Sequence, residues 1–251
     1  MTQSATSPAR ASRASGSAPG NLTAAAPQNL ARVFLRPLAT PLPLGFLALM
    51  VATSVFSALQ LGWIGVSGTV SAAPVVLFFC VPALLLSCVI GFLCRDPVAG
   101  TGLGLTALGW GTIALGAAST HVPVPAPALS VILYAIAAAL LVPVVTAFGK
   151  PVAGLVMALT CARFAVTATA GLASSYHWAG ATTWSHAAGW VGIALGAVAL
   201  YAAMAFELEG ISHHTVLPVL RTGSGKLDDA HVDLDEQAPN LVREAGVRQQ
   251  L

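Results

Sequence analysis

Charge is scarce in this sequence. Only 8% of its 251 residues are Asp, Glu, Lys or Arg, against about 25% in ordinary soluble domains. A water-soluble fold of this length could not cover its surface with so few charges, so the solvent of most of the chain is lipid. The net charge of +2 is far too small for a nucleic-acid binder, which needs a basic face. Cysteine is scarce too. Cys80, Cys88, Cys94 and Cys161 form no C-x-x-C pair and have no His at metal-ligand spacing. That argues against a disulfide framework and a zinc site, and leaves them as small hydrophobes in apolar segments. No metal or cofactor is expected.

Other absences exclude chemistry. There is no phosphate loop, no H-E-x-x-H and no nucleophile–base constellation. Intramembrane hydrolysis needs a Ser–His pair or paired Asp at depth, and no Asp lies inside an apolar segment. An enzyme is not expected. The first residues hold no apolar run of the ~7–15 residues that a signal peptide requires. Residues 1–35, rich in Ser, Ala, Pro and Arg, read as a disordered cytoplasmic tail. Residues 219–251, carrying Asp228, Asp229, Asp233, Asp235, Glu236 and Glu244, read as a polar cytoplasmic one.

What the sequence does have is hydrophobic length. Residues 36–218 form a transmembrane domain with apolar segments at about 44–66, 73–94, 97–118, 128–148, 152–173 and 186–206. Each supplies the ~20 residues needed to cross ~30 Å of hydrocarbon as a helix. The predicted fold class is all-α, a six-transmembrane-helix bundle. Connections are short and marked by Pro, Gly or Ser, so neighbouring spans run antiparallel.

Basic residues orient the bundle. Arg10, Arg13, Arg32 and Arg36 precede span one, Arg95 follows span two, Lys150 follows span four, and Arg221, Lys226, Arg243 and Arg248 follow span six. The other three connections contain no Lys or Arg. The positive-inside rule therefore places both termini in the cytoplasm of a multi-pass plasma-membrane protein. Trp63, Tyr176, Trp178 and Trp184 gather on the opposite side, as an interfacial aromatic belt does.

Pro82 and Pro143 interrupt spans two and four and mark kinks. Span three is dense in glycine (Gly100, Gly102, Gly104, Gly109, Gly111, Gly116), and span six carries Gly189, Gly192 and Gly196. Small residues let backbones approach closely in lipid, so these spans are predicted to pack tightly; widening a pore is the other reading.

One residue stands apart. Arg163 falls near the middle of span five, where an unpaired charge costs from ~3 to over 10 kcal/mol. No carboxylate shares its depth, since Asp96, Glu207 and Glu209 belong near span ends. Arg163 either lines an aqueous path for an anion or is a structural arginine satisfied by carbonyls and water. Thr53, Ser54, Ser57, Thr106, Thr112, Thr160 and Thr167 can bond their own helices. Gln60 is costlier to bury and belongs against water or another helix. His186, near the outer surface beside His177, and Glu207, ending span six, are candidate proton relays. A plain interfacial histidine and a solvated helix end are the simpler readings. The stretch Thr40-Pro41-Leu42-Pro43-Leu44-Gly45-Phe46 suits a helix start, and the N–H groups of Leu44, Gly45 and Phe46 could hold a carboxylate there.

Three stretches resemble a known family. His186 through Met204, continuing to Thr215-Val216-Leu217-Pro218, resembles the last helix and following T-V-L-P of the acetate uptake transporter family, in its succinate–acetate permease-like branch. Thr40–Phe46 is similar to that family's N-P-A-P-L-G-L signature, and Gly104-Leu105-Thr106-Ala107-Leu108 to its G-L-T-A-F. The resemblance covers roughly residues 36–220. It implies a six-helix protomer, a ring-shaped homohexamer with a path in each protomer, and proton-coupled symport of small monocarboxylates. It also implies an apolar gate at Leu49, Trp110 and Leu159. Departures are visible: Thr40 replaces the signature Asn, Leu49 an aromatic, and Phe206 the Glu after the span-six Met, with Glu207 one place on. No family counterpart is assigned to Arg163.

The leading reading is a transporter or channel for acetate-like monocarboxylates, with succinate a further candidate, and with lipid, substrate and protons as partners. A urea or short-amide channel of similar hexameric build is the alternative. A non-transporting membrane scaffold is the third.

Overall fold

The computed structural model describes residues 39–120, 127–212 and 217–218; both tails expected from the sequence lie outside these. The described residues contain six helical rods, each long and apolar enough to cross a membrane, and no strand. They are α1 (Leu42–Gln60), α2 (Val66–Leu93), α3 (Pro97–Thr120), α4 (Pro127–Thr146), α5 (Pro151–Ser175) and α6 (Ala181–Ser212). The chain is a multi-pass membrane protein.

Local chemistry sets the boundaries. Proline opens α3, α4 and α5 and sits in the first turn of α1, where its missing N–H would be unpaired in any case. The first helix stops at Gln60, short of the predicted Val66, because Gly62 takes a φ of +74°. The Trp63 N–H then reaches back to the Ala58 carbonyl and the Gly62 N–H to that of Leu59, which ends the helix in a Schellman turn. Arg95 and His177 end α2 and α5 in the same way with φ of 56° and 53°. The expected interruption at Pro82 takes the form of a π-helical turn, Val76–Cys80, that ends two residues before it. Pro143 lies inside α4, which passes into a 3-10 turn at Ala147–Gly149.

Consecutive helices pack side by side, and α6 returns against α1, closing a ring. Within it α1, α3 and α5 are more than half buried, whereas α2 and α4 keep a third or less covered. The odd-numbered helices therefore line the interior. Phe78, Phe79, Leu86 and Val142 point outward from the even-numbered ones. Such faces suit lipid or another protomer, not water.

Glycine sets the spacing between neighbours, as expected for α3 and α6. A Cβ on Gly102 would stand 2.8 Å from the Met157 sulfur, so this glycine admits a side chain of α5. Across α6, a Cβ on Gly189 would strike Leu61, and Gly192 and Gly196 face Thr53, Ser54 and Ser57 of α1. At the end of the bundle carrying Arg95, Asp96 ties two connections together. Its Oδ1 accepts the Ala99 N–H at 3.0 Å, capping α3, and its Oδ2 takes the Lys150 ammonium at 2.6 Å.

Candidate functional site

The interior of the ring is apolar except along one seam. Thr53, Ser57 and Gln60 fall on one face of α1 and are all buried. Small residues on the facing side of α6 let the backbones close on them. Thr53 donates its hydroxyl to the Gly192 carbonyl at 3.2 Å, and Ser185 donates to the Gln60 carbonyl at 3.4 Å. Other hydroxyls are spent within their own helices: Thr106 on Gly102, Thr112 on Leu108 and Thr160 on Val156. These three carry no further polar signal.

Arg163 extends into the seam from α5. It lies midway along Pro151–Ser175, and its side chain is completely buried. Its guanidinium does not stay at the level of its Cα. Nη1 donates to the Gln60 Oε1 at 2.5 Å, to the Ala188 carbonyl at 2.5 Å and to the Thr167 hydroxyl at 3.2 Å. Gln60 is the last residue of α1, Thr167 is one turn further along α5, and Ala188 closes the second turn of α6. All three lie towards the end of the bundle where Trp63 and Trp190 meet edge to face at 6.0 Å. The long stem carries the charge about one turn beyond its own Cα, towards that end.

Every partner of Arg163 is neutral. The described residues contain no carboxylate bonded to it; Asp96 is paired with Lys150 instead. Nε and Nη2 of Arg163, Nε2 of Gln60, Nε1 of Trp110 and Oγ of Ser57 are buried without a hydrogen-bond partner. Buried polar atoms are nearly always paired, so this concentration of spare N–H groups marks the site. It presents donors and suits a guest that accepts, such as an anion.

Beneath the guanidinium lies an aromatic cluster. Trp110, fully buried on α3, packs against Phe56 of α1 at 5.8 Å and Phe164 of α5 at 5.9 Å. Its ring centroid is 5.9 Å from Cζ of Arg163, within reach of a cation–π contact. Leu49 is fully buried and Leu159 half-buried, but the rings against Trp110 are Phe56, about two turns beyond Leu49, and Phe164, about one and a half turns beyond Leu159. Neither phenylalanine was among the sequence candidates. The available signal was adjacency: Phe164 follows Arg163, and Phe56 lies one turn before Gln60.

The remaining candidates stand apart from this cluster. At the start of α1, Thr40 and Leu44 are exposed while Gly45 and Phe46 are buried. The Gly45 N–H already donates to the Pro41 carbonyl at 3.2 Å, and Leu103 fills the space above its Cα. Phe46 stacks near Phe206 at 6.1 Å. Gly45 and Gln60 are about 22 Å apart along one helix, so the helix start and Arg163 are separate stations. His186 and Glu207 are both exposed and lie about 30 Å apart along α6. No single relay joins them. The described residues hold no group of three His, Cys, Asp or Glu able to bind a metal.

No family model matches the chain, and no curated protein matches it. Among solved structures it is similar to the bacterial acetate channel SatP, with a TM-score of 0.60 and 23% identity, covering 72% of this chain and 98% of that one. At that identity the likeness is one of fold.

Proposed function

We propose that this protein conducts small monocarboxylates of the acetate type across the membrane through the interior of each six-helix protomer. One observation carries the reading. A guanidinium buried within the bundle has only neutral partners and keeps donors to spare. An acid with a pKa near 4 is more than ~99% ionised at pH 7, and hydrocarbon is closed to it. The path must attract the anion without holding it. Arg163 and Gln60 supply the attraction, and the Phe56–Trp110–Phe164 cluster, with Leu49 and Leu159 further along, supplies a narrow dry gate. The fold shared with an acetate channel agrees with this reading.

A neutral amide gains less from such a site, because a buried cation with no counter-charge is expensive to maintain; urea is the weaker candidate. The finer terms of the proposal are proton coupling, carriage of succinate, a homohexamer packed through the outward faces of α2 and α4, and a plasma-membrane orientation with both ends in the cytoplasm. Thr40, Leu44, Gly45 and Phe46 form the cytoplasmic mouth, and His186 and Glu207 lie at opposite mouths of the path.

The deciding experiment is uptake of labelled acetate by proteoliposomes, with and without an imposed pH gradient. Saturable uptake above protein-free vesicles supports the proposal, and stimulation by an inward proton gradient supports coupling. Urea flux without acetate flux would replace it with the amide channel. Flux of neither solute would leave a scaffold.

A further inference from the structure

The three acceptors of Arg163 all fall on one of its nitrogens. Nη1 is committed to Gln60, Thr167 and Ala188, while Nε and Nη2 are buried and bond nothing. These two atoms form a single edge of the planar guanidinium, and their N–H groups point the same way. That edge matches two oxygens joined through one central atom, which is how arginine grips planar oxyanions with paired hydrogen bonds. Lysine, a point charge, cannot copy it.

We infer that the free Nε–Nη2 edge of Arg163 is a seat for a planar, singly charged oxyanion, and that the bare Gly192 lets α6 lie against that edge without covering it with a side chain. The species recognised is the anion, and the feature read is the O–X–O fork. Formate, acetate and nitrate therefore share the site, whereas chloride, a sphere, can take the two parallel N–H groups only on bent bonds to one atom. Gln60 and Trp110, which adjoin the guanidinium, and Ser57, which shares with Nε the space over Gly192, also hold buried donors without partners. The Trp110 ring, 5.9 Å from Cζ, offers an apolar wall to a methyl substituent.

Gly192 is the second half of the inference. A Cβ there would stand 2.9 Å from Nε of Arg163, 2.0 Å from Oγ of Ser57 and 3.0 Å from Oγ1 of Thr53. Even one methyl group at this position presses on the free edge and leaves the charge unchanged. Gly192 is thus a specificity-determining position, because it lets α6 approach the fork without blocking it.

The seat deepens the carboxylate reading above and relies on it for a place in the permeation path, so binding and flux are measured separately. In detergent, displacement of labelled acetate from the purified protein by sodium formate, nitrate or chloride reads the seat. Formate and nitrate are expected to compete at one saturable site at least tenfold better than chloride. Arg163→Lys is expected to weaken acetate binding at least tenfold and to erase the preference for nitrate over chloride. Gly192→Ala is expected to weaken all three oxyanions with Arg163 intact. If Arg163→Lys does not fold, thermal stabilisation by nitrate takes its place: present in the unaltered protein, absent in Gly192→Ala. Competition by chloride equal to that by nitrate would overturn the inference. So would unchanged nitrate selectivity in Arg163→Lys, or unchanged stabilisation in Gly192→Ala. Acetate flux without fork selectivity would sink the seat and leave the carboxylate reading standing. Fork-selective binding without flux of any acid would do the reverse.

Discussion

Phe164 sits in the notch left by Gly109. A Cβ on Gly109 would lie 2.2 Å from the Phe164 ring, so the ring can lie against the α3 backbone here only because that position has no side chain. Gly109→Ala should overpack it, at about 1–3 kcal/mol. A lowered thermal midpoint of the detergent-solubilised protein, largely restored by adding Phe164→Leu, is the expected result. An unchanged midpoint for Gly109→Ala would show that the ring moves aside freely.

Removing the buried cation should separate function from folding. Arg163→Ala strips Gln60, Thr167 and Ala188 of a donor, and each buried orphan costs about 1–3 kcal/mol. Relief of an unpaired buried charge offsets much of that. The oligomer should survive, while acetate uptake by proteoliposomes falls about tenfold or more, equivalent to at least about 1.4 kcal/mol. Full uptake would assign Arg163 a structural role.

Trp110 tests the gate. Trp110→Ala removes a side chain touching Phe56, Phe164 and Arg163. The expected loss is about 3–5 kcal/mol of stability, with butyrate gaining on acetate in uptake as the constriction widens. Trp110→Phe keeps most of the packing and should retain the acetate preference. Equal selectivity in both variants would place the narrow point elsewhere.

At the basic end, Asp96 does two jobs and Lys150 one. Asp96→Ala loses the helix cap on Ala99 and the ion pair, whereas Lys150→Ala loses the pair alone. The first should cost about 1 kcal/mol more than the second, a typical cap value, since partly exposed pairs contribute about 0–1 kcal/mol. Thermal midpoints should rank unaltered protein, Lys150→Ala, Asp96→Ala, with the gap between the first two closing at high salt. The reverse order would mean that the cap is dispensable.

Sidedness is tested with single cysteines at exposed helix ends. In intact cells an impermeant maleimide should label Thr182→Cys at the start of α6 and spare Glu207→Cys near its finish, with both labelled after permeabilisation. The opposite pattern would invert the orientation read from the basic residues.

The number and order of the helices long enough to cross a membrane were legible in the sequence. So was the place of Arg163 midway along α5, because hydropathy and position along a helix are local properties. The end of α1 was less so. Continuing hydrophobicity through Trp63 and Val66 hides the turn at Gly62, where backbone geometry outweighs composition. The proposed gate shows the same limit. Leu49 and Leu159 follow from a family resemblance, but Phe56 and Phe164 meet Trp110 through the rotation of α1 and α5 about their axes.

By itself, then, the sequence determined that this chain lives in a bilayer as six helices with one guanidinium among them. Too few charges and six long apolar runs admit little else. Only the tertiary structure decided where that guanidinium points and which nitrogen it spends on Gln60 and Ala188, residues far from it in the chain. The reason is physical. Burial in lipid acts on each segment separately, whereas hydrogen-bond partners depend on which helix faces meet, and here glycines on α6 let the polar face of α1 close against them.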